Sequence, residues 1–129
     1  VKAANQLIVA ANIQALSEAV LFLEAYGVDT DAAVKVLGGG LAGSKVLDQK
    51  AQKILDREFT PGFRLALHNK DMGIVTSAAR EAGVVLPLGA LVAQLVTSTV
   101  ASGDGALDHS GLFRGVQRLA GKVEAPVPA

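Results

Sequence analysis

Apolar residues along this chain recur at helical spacing, and the pattern predicts helices throughout. Leu7, Ala10, Ala11, Ala15 and Ala19 mark one face of a first helix running from the start to about Tyr26, with Gly27 as its terminating residue. Asp29 reads as the N-cap of a short helix, Thr30 to Leu37, that stops at Gly38-Gly39-Gly40. A charged third helix is expected from Gly43 or Ser44 to Arg57, its apolar face made by Val46, Leu47, Ala51, Ile54 and Leu55. The turn at Pro61-Gly62 carries an apolar anchor on each side, Phe59 and Phe63. A fourth helix follows from Arg64 to Ala82, closed by Gly83. Pro87 suits the first turn of a fifth, reaching Ser102, and Gly103-Asp104-Gly105 reads as a loop. Asp108 then caps a last helix, His109 to Gly121. Val123 to Ala129, with Pro126 and Pro128, reads as a loose tail. Val84 to Leu86 is too short for a sheet, so the expected fold class is all-α with about six helices in one domain, residues 1–122.

Composition narrows the function classes. The chain has 129 residues, 50% hydrophobic and only 19% charged, which excludes disorder and implies a face covered by another domain or subunit. With 12 basic and 12 acidic side chains there is no field to meet nucleic acid or an anionic membrane. Zero Cys excludes a disulfide scaffold and fits a cytoplasmic location. With two His as well, no metal site is expected. Leu7 to Ala25 is interrupted by Asn12, Gln14, Ser17, Glu18 and Glu24, which are costly in lipid. Val84 to Ala101 is uncharged but is broken near one end by Pro87, so both stretches read as buried helices.

Several residue groups have a chemical reading beside a plain one. Gly38, Gly40 and Gly43 match G-x-G-x-x-G, yet they follow a helix and not a strand, so a helix–helix connection is the better reading than a dinucleotide turn. Backbone amides there, with Ser44 at a helix start, remain candidates for meeting a carboxylate. Lys2, Asn5 and Gln6 share one helical face, where an ammonium and a carboxamide can clamp a substrate oxygen; the plain reading is an exposed terminal lysine. Lys70-Asp71, preceded by His68 and Asn69, is a candidate polar cluster or a solvated stripe, and a lone histidine is more often structural than a general acid. Asp108-His109-Ser110 is contiguous and therefore a helix start, not a hydrolase triad.

Together these residues resemble a known family. Lys2-Ala3-Ala4-Asn5-Gln6 is similar to the K-x-x-N-[NQ] signature of the β-hydroxyacid dehydrogenases. Gly39-Gly40-Leu41-Ala42-Gly43-Ser44 resembles the G-G-L-A-G-S turn of the tartronate semialdehyde reductase branch. So do Phe59-x-Pro61-Gly62-Phe63-Arg64, Leu67-His68-x-Lys70-Asp71, Leu86-Pro87-Leu88 and Asp108-His109-Ser110, in the same order along residues 1–122. Met72 departs from the usual Leu, a volume-conserving change.

The resemblance implies an all-α C-terminal domain of an NAD- or NADP-dependent oxidoreductase that reduces 2-hydroxy-3-oxopropanoate to glycerate. It implies Lys2 as general acid, Asn5 as the residue holding Lys2 and substrate in geometry, and Lys70 reaching the cofactor. It further implies Asp71 positioning Lys70 or the helix, Phe63 lining the cleft, and Gly40 and Ser44 shaping the substrate pocket. A Rossmann domain is expected ahead of Lys2, and this sequence lacks it, so the chain alone is expected to be inert and to pair as a dimer or higher homo-oligomer. The competing expectations are a sibling reductase, such as 3-hydroxyisobutyrate dehydrogenase or a glyoxylate/succinic semialdehyde reductase, and a non-enzymatic helical dimerisation module.

Overall fold

A computed structural model of the chain describes residues 1–122, so the expected tail at Val123 to Ala129 lies outside the described residues. The order is α1 (Lys2–Ala25), α2 (Thr30–Gly38), α3 (Lys45–Leu55), α4 (Leu65–Ala82), α5 (Pro87–Thr99) and α6 (Leu112–Leu119). Among the described residues there is no strand, only an isolated bridge between Arg64 and Asp108.

α1 is the axis, and α3, α4, α5 and α6 all pack on it. Its buried positions, Gln6, Ala10, Ile13, Gln14, Leu16, Ser17 and Val20, keep the three- and four-residue spacing that one face requires. By length and composition α1 is apolar enough to cross a bilayer, but Gln14 and Ser17 are buried in the bundle, where helices surround them. On one side Ala10 and Ile13 meet Leu65, Met72, Val75, Val92, Val96 and Leu112. On the other, Leu16 and Val20 meet Leu47, Ala51, Ile54, Phe59 and Phe113.

Local signals set most boundaries. The Asp29 carboxylate accepts from the Ala32 amide (3.2 Å) and the Ser44 hydroxyl from the Leu47 amide (2.9 Å), so both helix starts are capped as expected. Gly83 takes φ 69° and ends α4. Three boundaries differ from expectation. α3 stops at Leu55, because Arg57 adopts φ 52°. That left-handed conformation is costly for arginine. It is held by bonds from the guanidinium to the Ile54 carbonyl and the Glu24 carboxylate, both 2.9 Å, and by its seat over the Phe113 ring.

The fifth helix ends at Thr99 and continues as a wider π-type turn, Val100–Asp104, in which Gly103 takes φ 103°. Asp104, expected in a loop, is buried and bonded to Arg114 (3.2 Å) and Arg118 (2.5 Å). The last helix begins three residues later than expected: His109–Gly111 form a 3₁₀ turn, and α6 closes at Leu119. The glycine run is a helix connection. Gly43 donates to the Gly40 carbonyl (3.0 Å), and a Cβ on Gly43 would stand 2.5 Å from the Gly38 carbonyl oxygen.

Candidate functional site

The first turn of α1, the start of α3 and two loops enclose a cleft of about 570 Å³. The loops are the Phe59–Phe63 turn and the corner at Asp108–Ser110. Lys2, Gln6 and Val9 contribute from α1, Lys45, Val46, Gln49 and Lys50 from α3, and Gly62, Phe63 and His109 from the loops. The lining holds three lysines and no carboxylate, so it suits an anionic ligand.

Asp108 is the knot beneath this cleft. Its side chain is fully buried and accepts from the amides of Gly62 (2.9 Å), Phe63 (3.1 Å) and Ser110 (3.0 Å) and from the Ser110 hydroxyl (2.5 Å). The Lys50 ammonium stands 3.2 Å from both carboxylate oxygens. Burial raises its pKa, but the bonds from Ser110, Phe63 and Gly62 outweigh that and hold the carboxyl well below the usual range. The sequence shows Asp108 as a local cap, and it does cap Ser110. Its larger role, tying the 59–63 loop to α3, arises from contacts 45 to 58 residues apart.

The chain's two histidines meet here. His68 Nδ1 lies 2.8 Å from His109 Nδ1, and His68 Nε2 lies 2.9 Å from the Gln6 main-chain oxygen. Phe63 packs edge-on against His68 (5.6 Å) and tilted against His109 (5.2 Å). Burial lowers the pKa of His68 and, with the Lys50 charge next, pushes His109 down to about 4, so both rings are neutral near pH 7.

A polar chain fixes α1 against α4. The Asn5 amide donates to Gln6 Oε1 (2.9 Å), and Gln6 Nε2 donates to Asp71 (2.8 Å). Asp71 therefore holds the first turn of α1 through Gln6. Lys2 and Phe63 line the cleft, and Lys2 is exposed. Asn5 and Lys70 are exposed and do not line it. Gly40 and Ser44 stand apart: the Ser44 hydroxyl is spent on the α3 cap, and Ser44 faces a smaller cavity of about 200 Å³ with Leu37 and Leu47. Gln6, Lys45, Gln49 and Lys50 line the cleft without having been assigned to it, and only the position of Gln6 beside Asn5 hinted at a role.

Comparison with known proteins places this architecture. The chain is 39% identical over 119 residues to the 2-hydroxy-3-oxopropionate reductase of Escherichia coli K12, covering 92% of this chain and 41% of that protein. It is 34% identical to the 3-sulfolactaldehyde reductase of the same organism, covering 84% of this chain and 37% of the relative. A solved 3-hydroxyisobutyrate dehydrogenase from Salmonella typhimurium superposes with a TM-score of 0.83 at 26% identity, over 87% of this chain and 39% of that one. The chain thus spans about two fifths of the length of these relatives. Residues 1–116 match the family described as NAD-binding of NADP-dependent 3-hydroxyisobutyrate dehydrogenase, and the chain belongs to that family.

Proposed function

We propose that the cleft is one wall of the active site of an NAD(P)-dependent reductase acting on a small hydroxy- or oxo-acid, with 2-hydroxy-3-oxopropanoate as substrate and glycerate as product. The observation that carries this reading is the lining itself: Lys2 and Lys45 with no carboxylate in the lining, beside Lys50 paired to the buried Asp108, over a floor of Phe63 and His109. A substrate carboxylate is drawn to this net positive wall, with Lys45 as its partner. Lys2, the exposed ammonium at the start of α1, donates the proton to the oxygen of the reduced carbonyl. Its charge also stabilises the oxyanion as it develops. Asn5, locked by Gln6, keeps Lys2 and the substrate in register.

The cofactor, NAD or NADP, supplies the hydride when bound. The described residues suit its edge and not its phosphates. Lys70 offers an exposed ammonium and Phe63 an aromatic face, whereas the glycine run is filled by the Gly38 and Gly40 carbonyls. A dinucleotide-binding Rossmann domain in the full-length protein holds those phosphates and completes the site. Exposed Ile8, Val85, Leu88 and Leu91 on α1 and around the start of α5 support a further proposal, a homodimer or larger assembly, and sedimentation giving only monomer would remove it.

The test is NAD(P)H oxidation by the full-length protein with 2-hydroxy-3-oxopropanoate, 2-methyl-3-oxopropanoate and 3-sulfolactaldehyde. Preference for the first supports the reading. Preference for the second moves the assignment to a 3-hydroxyisobutyrate dehydrogenase, and no turnover of any of them overturns it.

A further inference from the structure

The two imidazoles, His109 on the cleft floor and His68 buried behind it, can be assigned hydrogen by hydrogen. The Gln6 main-chain oxygen can only accept, so His68 Nε2 carries a proton and donates to it. A neutral His68 then has a bare Nδ1, which must accept from His109 across 2.8 Å. His109 therefore carries its proton on Nδ1, and its Nε2 is a bare lone pair. No protein group among the described residues bonds that Nε2, although His109 lines the cleft and is only 7% exposed. The ring cannot easily turn away: its main-chain amide donates to the Phe63 carbonyl (2.7 Å), Phe63 packs against it, and Asp108 fixes the Phe63 amide. The same cleft is lined by Lys2, Lys45 and Lys50, all of them donors, with Lys50 engaged by Asp108.

An acceptor held among donors selects a ligand that brings both an anion and a hydroxyl. We propose that His109 Nε2 is a specificity-determining acceptor that takes a hydrogen bond from the C2 hydroxyl of the substrate while Lys45, neither paired with Asp108 nor used as the proton donor, takes its carboxylate. This rests on the reading of the cleft as a hydroxy-acid site, and it says which part of the acid is read. A substrate with methyl in place of that hydroxyl leaves the Nε2 lone pair desolvated and unpaired.

Two measurements test it. Long-range proton–nitrogen NMR of the chain near pH 7 should show His109 protonated on Nδ1 and His68 on Nε2; the reverse order overturns the assignment. In the full-length protein, His109→Asn keeps a donor where Nδ1 stood, so the bond to His68 survives while the acceptor in the cleft is lost. The kcat/KM for 2-hydroxy-3-oxopropanoate should fall about tenfold. That for 2-methyl-3-oxopropanoate, which makes no such bond, should fall by a smaller factor, so the preference narrows. An unchanged ratio between the two aldehydes, with the melting temperature retained, overturns the hydroxyl contact and leaves the proposed reduction standing. Failure of the wild-type protein to reduce either aldehyde overturns the reduction and this contact together, without touching the NMR result.

Discussion

Replacing Asp108 with alanine removes the acceptor of three main-chain amides, a hydroxyl and the Lys50 ammonium at once. Removing one partner of a buried ion pair costs about 3–5 kcal/mol. Each orphaned donor adds a share, but not additively. Lys50 is 13% exposed, so its ammonium can recover some water, and the lower half of that range applies, about 3–4 kcal/mol. Domains of this size hold about 5–15 kcal/mol in all. The variant should therefore melt roughly 10–15 °C lower. Asp108→Asn keeps one oxygen for Gly62 and Phe63 but turns an NH₂ toward Lys50 and Ser110, so it should lose about half as much. Lys50→Met alone should cost less than Asp108→Ala, because the amides still satisfy the carboxylate. Thermal and urea unfolding of the four proteins gives these values directly. A loss below about 1 kcal/mol for Asp108→Ala would refute the view that this carboxylate holds the cleft floor.

Other outcomes follow from the same geometry. His109 titrates at about 4 when folded against 6.5 as its ordinary value, so the unfolded chain takes up the proton first as pH falls. Stability should decline between about pH 6.5 and 4, by on the order of 2–3 kcal/mol after allowing for partial contact with water. His109→Asn should flatten that slope in urea titrations; an unchanged slope contradicts the buried neutral pair. Gly43→Ala drives a methyl into the Gly38 carbonyl, a backbone atom with little room to yield, and should cost about 1–3 kcal/mol by thermal melting; a neutral effect would reopen the glycine run as a ligand turn. Asp71→Ala frees Gln6 Nε2 and should raise exchange of the first bonded amides of α1, from Asn5 onward, while leaving α4 protected; equal protection would show that the Gln6 bond does not anchor that end of the helix.

The helices were legible in the sequence because their causes are local. Asp29, Ser44, Gly83 and Pro87 act within one turn of the boundaries they set. The three misplaced ends have distant causes. Arg57 turns left-handed because of Glu24 and Phe113. Asp104 is drawn inward by Arg114 and Arg118 from α6. The 3₁₀ turn at His109 carries the ring toward His68, 41 residues away.

The site divides in the same way. Helical spacing alone groups Lys2, Asn5 and Gln6 on one face of α1; of these, Lys2 and Gln6 line the cleft and Asn5 is tied to it through Gln6. The partners that give that face its geometry, Asp71 at 65 residues and His68 at 62, have no local signal. Lys45 and Lys50 belong to the charged third helix that the sequence predicts, and only the fold shows that they line a cleft.

The central claim is that the exposed lysine at the start of α1 delivers the proton in a reduction carried out in this cleft. The measurement that meets it most directly is steady-state kinetics of Lys2→Met in the full-length protein, with 2-hydroxy-3-oxopropanoate and saturating NAD(P)H. The account predicts a fall in kcat of about 10²–10⁴-fold. The melting temperature and the KM for the cofactor should hold, since Lys2 makes no packing contact in the core. Activity within about threefold of the parent would contradict it.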